Sequence, residues 1–291
     1  MMKRLLAEVN ISEGRDHGLI NQVQTALAQS EVEIIDVDSE PNHNRTVFTY
    51  IGSPEAVLQG TMDLASKAVE LIDMTKHTGS HPRMGAVDVV PFIPVKDMTT
   101  EETVEIAKEF GRFMGSLGVP VYYYEDAATR PERTNLVKIR KGQYEALSEK
   151  MQNEEWRPDE GPFEFVPKSG ATVTGVRFPL VAFNINLKTD DIEIGKKIVK
   201  AVRGATGGYQ YVRAIALPIG ESKMIQISMN LTNYSKTPIH RVFETVKSEA
   251  MSYGIQVAGT ELVGPVPMDA LKDVLNHYLQ AHHFSMEQIY I

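Results

Sequence analysis

Hydrophobic residues recur along the chain with two alternating periods, and the same order of segments occurs twice. In the first half, alternating or β-branched runs predict strands, while apolar positions three and four residues apart, such as Leu19, Val23 and Leu27, predict helices. The predicted order is strand 4–11, a helix around 19–27, strand 31–38, strand 46–51, helix 54–74 and strand 86–95. A helix over 101–117 and a strand over 119–124 extend this βαββαβ unit.

The second half predicts the same order of elements. They are strand 180–187, helix 191–202, strand 211–218, strand 224–231, helix 238–253, strand 255–263 and a closing helix 268–280. Two successive βαββαβ units indicate an α/β (α+β) protein made of two ferredoxin-like subdomains, each an antiparallel sheet with helices on one face. We place the domains at 1–178 and 179–291.

The segment 129–176 between the two units is rich in charge, proline and glycine. It is long for a connection in a compact protein, which is typical of a functional flap or a disordered linker. Within it, residues 161–170 combine aromatic rings, glycines and one lysine. This composition suits a flat heteroaromatic ligand with an anionic tail, and it equally suits a surface loop whose phenylalanines fill a seam.

Composition narrows the class of protein. The chain has 291 residues, a formal net charge of −8 and no cysteine. The acidic balance opposes nucleic-acid binding, and the lack of cysteine excludes disulfides, a thiolate nucleophile and cysteine-ligated metals. No apolar run approaches the roughly 20 residues of a membrane span. Because Glu8 and Asn10 interrupt the N-terminal segment, we interpret it as a strand of a cytoplasmic protein and not as a signal peptide.

The loop that precedes strand 86–95 carries the densest candidate chemistry, namely His77, His81 and Arg83. Gly79, Pro82 and Gly85 shape the backbone around these side chains. A positioned imidazole is a proton-transfer group suited to neutral pH, and Arg83 is expected to project to the same side as His81. The alternative is that His81 is a hydrogen-bonded loop histidine without a catalytic role.

Other polar residues near this loop allow further interpretations. His77, at the predicted helix end, fits a cation at a helix C-terminus better than a catalyst. Asp38 and Arg45 lie in the preceding predicted hairpin, where Asp38 could orient an imidazole, hold a substrate amine or simply belong to the turn. His43, His77 and His81 lack an accompanying pair of acidic ligands, so the pattern does not favour a metal site.

Several segments together resemble the glutamate formimidoyltransferase (formiminotransferase) family. They are residues 10–14, 43–47, 71–94 (with 71–74 and 81–86 as its most characteristic parts), 119–121, 161–171, 182–187 and 261–264. The resemblance implies a folate-dependent enzyme of two ferredoxin-like subdomains with a ligand cleft between them. It implies that His81 is catalytic and that the folate-contacting segment comprises Gly161, Pro162, Phe163, Glu164, Phe165, Val166, Pro167, Lys168, Ser169 and Gly170.

The activity that this resemblance implies is transfer of the formimino group from N-formimino-L-glutamate to N5 of tetrahydrofolate, giving 5-formiminotetrahydrofolate and L-glutamate in histidine degradation. We expect His81 to transfer the proton and Asp38 to orient the His81 imidazole or balance its charge. We expect Arg45 and Arg83 to recognise carboxylates. We also expect a homodimer and a separate cyclodeaminase. The alternatives are a relative that acts on 5-formyltetrahydrofolate and a noncatalytic folate or amino-acid sensor.

Overall fold

The computed structural model describes residues 3–220, 222–281 and 283–289. The chain divides after Arg177 into two compact units, and the sequence prediction had placed the boundary one residue later. None of the helices in the described ranges is long and apolar enough to cross a membrane.

The first unit starts with the βαββαβ order and then continues. Its helices and strands are β1 (Arg4–Ile11), α1 (His17–Leu27), β2 (Glu33–Glu40), β3 (Arg45–Gly52), α2 (Pro54–Leu71), β4 (Val89–Lys96), α3 (Thr100–Ser116), β5 (Val121–Glu125), α4 (Leu136–Arg140), α5 (Leu147–Lys150) and β6 (Thr172–Val176). Short 3₁₀ turns lie at Pro131–Arg133, Tyr144–Ala146 and Glu154–Trp156.

Local chemistry explains where the helices of this unit begin. The Asp16 side chain accepts from the Leu19 amide at the start of α1, and Ser53 caps α2 ahead of a proline in the first turn. At α3, Thr99 and Glu102 form a reciprocal capping box. These caps satisfy backbone donors that a helix N-terminus otherwise leaves without partners.

The first sheet has the strand order β2-β3-β1-β4-β6-β5. The strands from β2 to β4 pair antiparallel, whereas β6 runs parallel to both β4 and β5. The expectation of a purely antiparallel sheet is therefore wrong for this unit. Strand β6 can run parallel to both neighbours because the chain returns through the long segment 129–171 before it enters the sheet.

The segment 129–176 is neither a flap nor a disordered linker, which corrects the sequence prediction. Its last strand, β6, is buried along its whole length, including the threonines on one of its faces. Thr172 and Thr174 are tolerated there because their hydroxyls donate to the Val87 and Val90 carbonyls at 2.7 and 3.0 Å. The preceding helices pack Ile139 and Leu147 into a small core with Tyr122 and Tyr124, among others.

The second unit consists of one βαββαβ repeat and a final helix. Its elements are β7 (Val181–Leu187), α6 (Ile192–Val202), β8 (Val212–Pro218), β9 (Ile225–Leu231), α7 (Ile239–Ser252), β10 (Val257–Val263) and α8 (Met268–Leu279), with 3₁₀ turns at Gly204–Thr206 and Met286–Gln288. The sheet order is β10-β7-β9-β8, and every pair is antiparallel.

In both units the strands of the repeat lie in the order fourth, first, third, second. Each unit buries its own apolar face, with residues such as Leu64, Phe92 and Phe110 in the first core and Ile198 and Ile227 in the second. The α/β class and the two successive βαββαβ units predicted from the sequence are thereby confirmed.

Candidate active site

The connection between α2 and β4, residues 72–88, contains both loop histidines; we call it the histidine loop. Its backbone is tied on two sides. The Ser80 amide donates to the Asn42 carbonyl at 3.2 Å, in the turn between β2 and β3. The Met74 amide donates to the Lys168 carbonyl at 2.9 Å, and the Ala86 amide to the Ser169 carbonyl at 2.8 Å. The loop is thus held between the β2–β3 hairpin and the end of segment 161–170.

Two glycines in the histidine loop permit these close approaches. A Cβ added at Gly79 would lie 2.2 Å from the His43 carbonyl oxygen, and one at Gly85 would lie 2.5 Å from the Ala171 carbonyl oxygen. The backbones could not both stay in place around such an atom. The glycines therefore serve backbone-to-backbone contact between the loop and its two neighbours.

His81 faces the guanidinium of Arg45. Its Nε2 lies 3.1 Å from the Arg45 Nη1. Because a guanidinium can only donate, Nε2 must be the acceptor, and in the neutral ring the proton then resides on Nδ1. Burial lowers the pKa of His81 to about 4, helped by the positive charges of Arg45 and Arg140 and by His43 and Arg83. At neutral pH the ring is uncharged, and its one lone pair is engaged by Arg45.

His77 occupies the opposite tautomer. Its Nε2 lies 2.9 Å from the Asn44 carbonyl and must donate to it, while its Nδ1 accepts from the Arg83 Nε at 3.2 Å. Burial lowers the pKa of His77, and the Arg83 charge adds to the shift. Since α2 ends at Leu71, the interpretation of His77 as a cation at a helix C-terminus is wrong. Its ring instead connects the loop to the β2–β3 hairpin.

Arg83 is only 7% exposed and is occupied by protein partners. It forms two hydrogen bonds to the Glu145 carboxylate, at 2.9 and 2.6 Å, and a third to Gln143 at 3.2 Å. The Tyr144 amide donates to the Arg83 carbonyl at 2.8 Å. The carboxylate that Arg83 holds in this structure is that of Glu145, far along the sequence, and recognition of a substrate carboxylate by Arg83 stays a prediction.

Asp38 is exposed on β2, paired in register with Val47 of β3. Strand alternation places it on the same face as Arg45. Burial lowers the pKa of Arg45, and the negative charge of Asp38 opposes that shift. No hydrogen bond joins Asp38 to His81 in the part of the chain that the structure describes. Asp38 thus influences Arg45 electrostatically, and its expected role in orienting the imidazole of His81 stays a prediction.

Two residues near His81 escaped the sequence analysis, Arg140 on α4 and Asp88 just before β4. They form an ion pair, and the second Asp88 oxygen accepts from the Met84 amide at 2.8 Å. Asp88 is 1% exposed, and its burial raises its pKa while the guanidinium opposes that shift. A single acid inside the apolar run 86–95 was the available signal for Asp88. For Arg140, within a charged segment, there was none.

Segment 161–170 packs on the first unit at both ends. Gly161 and Gly170 have positive φ angles of 81° and 65°, and a Cβ at Gly170 would lie 2.2 Å from the Met84 carbonyl oxygen. The Phe165 ring lies 5.4 Å from that of Tyr144, and the Arg157 guanidinium lies 4.6 Å above the Phe163 ring. The segment thus adjoins the histidine loop through Gly170.

Several groups of this segment remain accessible. Glu164 and Pro167 are exposed, while Pro162, Phe163, Phe165 and Val166 are half-buried. Lys168 is exposed, but its Nζ donates to the Glu70 carbonyl at 2.9 Å at the end of α2. Ser169 is buried. The aromatic rings and exposed backbone fit the stacking and amide recognition of a flat ring, whereas Lys168 has a structural partner already.

Taken together, the fold and the site define an α/β protein with a neutral imidazole suited to proton transfer beside a guanidinium that has no carboxylate partner within the described residues. Among those residues, no group of three or more His, Asp or Glu is arranged to hold a metal ion.

Comparison with known proteins narrows this class. The family model for the formiminotransferase domain, N-terminal subdomain, matches residues 4–177, and the one for the formiminotransferase domain matches residues 182–289. The chain belongs to the formiminotransferase family.

Curated relatives match over nearly the whole chain. A glutamate formimidoyltransferase of Streptococcus pyogenes is 48% identical over 94% of this chain and 93% of its own. A glutamate formimidoyltransferase of Thermoplasma acidophilum is 45% identical over 94% of this chain and 92% of its own. The formimidoyltransferase-cyclodeaminase of Mus musculus is 45% identical over 92% of this chain, which corresponds to 51% of that longer protein.

Proposed function

We propose that this chain is a glutamate formimidoyltransferase, an enzyme that moves the formimino group of N-formimino-L-glutamate to N5 of tetrahydrofolate. The products are 5-formiminotetrahydrofolate and L-glutamate. The observation that carries this proposal is the match, over more than nine-tenths of both chains, to relatives bearing that name. The geometry of the first unit supplies groups for each part of the task.

Recognition of the amino-acid substrate requires positive charge, because formiminoglutamate carries two carboxylates. The chain as a whole is acidic, with a formal net charge of −8. The charge near His81 is locally positive, since Arg45, Arg83 and Arg140 all lower its pKa. Among the residues that the structure describes, no carboxylate pairs with the guanidinium of Arg45, and the planar fork of this group suits a substrate carboxylate.

We assign the proton transfer to His81. In this role the imidazole accepts the proton from the acceptor nitrogen and returns it to the departing nitrogen of glutamate. A positioned general acid–base group of this kind contributes about a hundred- to ten-thousandfold in rate. The histidine loop supports the assignment, because its ties to the β2–β3 hairpin and to segment 161–170 keep His81 beside Arg45.

Tetrahydrofolate enters the reaction as a co-substrate, and it supplies the nitrogen that accepts the one-carbon group. We assign its contact surface to Gly161 through Gly170. Support comes from the half-buried rings of Phe163 and Phe165 and from the exposed backbone around Gly161. Lys168 would have to leave the Glu70 carbonyl before it could meet a folate carboxylate, so the rings and the backbone are the stronger part of this assignment.

The test is a direct assay with the purified full-length protein. Tetrahydrofolate and formiminoglutamate are mixed with it, and released glutamate is followed over time. We expect glutamate to appear only when both substrates and protein are present. In parallel, 5-formyltetrahydrofolate with glutamate tests the rival donor. Absence of glutamate release with intact, folded protein would reject the proposed function.

We further propose a homodimer in the cytoplasm, as expected from the sequence. Most soluble oligomers are symmetric homo-oligomers, which makes a dimer the simplest assembly. The mass of the purified protein in solution, measured by light scattering, tests this directly. A mass equal to the 32.4 kDa of one chain at all concentrations would reject the dimer.

A further inference from the structure

Two guanidinium groups near His81 have incomplete hydrogen bonding. The Nε atoms of Arg45 and Arg140 are both buried and lack a partner among the described residues. Buried polar atoms in folded proteins are nearly always paired, with protein, water or ligand. Two such atoms on neighbouring cations indicate that a group with acceptor oxygens completes the arrangement.

The charges around these arginines leave a local surplus. Arg83 is neutralised by Glu145, and Arg140 by Asp88. Asp38, Glu40 and Asp88 act on Arg45 only through space, and burial outweighs them, so that the pKa of Arg45 is lowered. The charge of Arg140 lowers the pKa of Arg45 as well, so the two guanidinium groups lie within electrostatic range of each other. An anion bound between them would relieve this repulsion.

The resting contact between Arg45 and His81 is unproductive for catalysis. The Arg45 Nη1 lies 3.1 Å from the His81 Nε2 and occupies the lone pair that would accept a proton. His43, whose ring centroid lies 5.8 Å from that of His81, adds no negative charge on the other side. In this arrangement Arg45 therefore blocks His81, the proposed base.

We propose that Arg140 joins Arg45 in one receptor for a carboxylate of the amino-acid substrate, and that filling this receptor draws Arg45 away from the His81 Nε2. The substrate thereby frees the imidazole that must act on it. The inference rests on the proposed function, since it takes formiminoglutamate as the substrate. It makes Arg140 a binding residue and gives Arg45 the additional role of a switch.

The surroundings of Arg140 suit such a role. Its carboxylate partner Asp88 also accepts from the Met84 amide, one residue after Arg83 in the histidine loop. Asp88 therefore fixes the position of α4 relative to the loop that carries His81. The ion pair uses one Nη of Arg140 and leaves its Nε without a partner. The proposed carboxylate pairs with the part of the Arg140 guanidinium that Asp88 leaves unused, once the atoms that cover its Nε move aside.

The test follows the His81 ring by NMR in the full-length protein, with and without saturating L-glutamate. L-glutamate carries both carboxylates of the substrate and lacks the transferable group, so no turnover occurs. We expect the pKa of His81 to rise from about 4 by at least about one unit when glutamate binds, because the bound anion offsets the cations around the ring.

Substitutions of Arg45 and Arg140 test the roles of the two arginines separately. Arg45→Met should raise the pKa of His81 in the free protein and abolish the further rise with glutamate. Arg140→Met alone would leave Asp88 buried and unpaired, which threatens folding, so it is combined with Asp88→Asn. The double variant should weaken glutamate binding about tenfold or more, the loss of roughly one charge-assisted pair. Arg140→Lys should restore part of the affinity.

Lys138→Met is the matched control, because Lys138 is an exposed cation on the same short helix. It should leave both the affinity and the glutamate-linked change at His81 as in the parent protein. The receptor is overturned if glutamate does not bind, if it binds without changing His81, or if the double variant binds as the parent does. Failure of the proposed function gives a different result, namely no formimino transfer in an enzyme whose His81 still responds to glutamate.

Discussion

The two units share the strand order of the βαββαβ repeat, and within that repeat they differ most in the connection before the fourth strand. In the first unit α2 and β4 are joined by the 17 residues of the histidine loop, 72–88, whereas in the second unit α7 and β10 are joined by the 4 residues 253–256. The long connection carries His77, His81 and Arg83, and the short one carries no histidine or arginine. The same strand order thus supports the candidate chemistry in one unit and only a tight turn in the other.

This difference teaches that the repeat supplies a scaffold, and that the site depends on what is inserted into it. A 17-residue loop keeps one conformation only if other elements satisfy its backbone and charges. In the first unit the β2–β3 hairpin and the segment 129–171 do so, through contacts such as Arg83 with Glu145. In the described residues, the second unit continues after its fourth strand with only α8 and a 3₁₀ turn, so no segment comparable to 129–171 follows its repeat.

The largest expected effect comes from removing the proposed base. His81→Ala should lower turnover about a hundred- to ten-thousandfold, because it removes the general acid–base group, while folate binding changes little. Steady-state glutamate release and a separate folate-binding titration measure the two quantities. His240→Gln, in α7 of the second unit, is the control and should retain turnover. Parent-like turnover in the His81 variant, or its loss in the His240 variant, would contradict the contrast between the units.

A second contrast uses two glycines. Gly79→Ala places a Cβ 2.2 Å from the His43 carbonyl oxygen, whereas Gly259→Ala, in β10, meets nothing within 4 Å. We expect the first change to destabilise the protein by about 1 to 3 kcal/mol, since backbone atoms must move apart, and to reduce activity by displacing the loop. Urea unfolding at pH 7 measures the free energy. Equal stability of the two variants would show that the loop is not held tightly against the hairpin.

A third prediction compares Arg83, which lies in the histidine loop, with Arg45, which contacts that loop through His81. Arg83→Met should cost about 2 kcal/mol of unfolding free energy, because it breaks charge-assisted hydrogen bonds of a buried guanidinium, and should change KM for formiminoglutamate less than about threefold. Arg45→Met should do the reverse, raising KM about tenfold or more with little loss of stability. Denaturation curves and kinetics of both variants decide this. A large KM effect of the Arg83 variant with unchanged stability would instead support the predicted role of Arg83 in substrate recognition.

The smallest expected effect is on acid stability. In the unfolded chain His81 has an ordinary pKa near 6.5, but in the folded protein it is about 4. Between these values the unfolded state binds the proton more readily, so stability is lost as pH falls from about 6.5 towards 4. His81→Gln should reduce this loss by on the order of 1 kcal/mol, after allowance for solvent contact of a half-buried ring. His17→Gln, exposed at the start of α1, should leave the loss unchanged when urea midpoints are compared at pH 7 and 4.5.

Much of the fold could be predicted from local pattern. The alternation of Leu5, Ala7, Val9 and Ile11 in β1 and the capped starts of α1 and α2 are signals contained within a few residues. Strand β6 could not be predicted in the same way. It is only five residues long, contains a glycine and lies at the end of a segment rich in charge, proline and glycine, so its threonines and valines gave too short a signal.

The residues of the candidate site likewise fall into two groups, those that the local sequence indicates and those that only folding brings together. His81 could be chosen because a histidine and an arginine among constraining glycines and a proline form a local signal. The residues that contact these side chains are determined by proximity in the folded protein. Glu145 and Gln143, which occupy Arg83, lie about sixty positions further along the chain, and Arg140 lies in a stretch of ordinary surface charge.

By itself the sequence determined the two βαββαβ units, the family, and the loop that holds the candidate base, because these depend on spacing between near neighbours. Tertiary structure decided the tautomers of His77 and His81, the occupation of Arg83, and the pairing of Arg140 with Asp88. Hydrogen bonds and charge interactions act over a few ångströms, and folding alone determines which distant residues come that close.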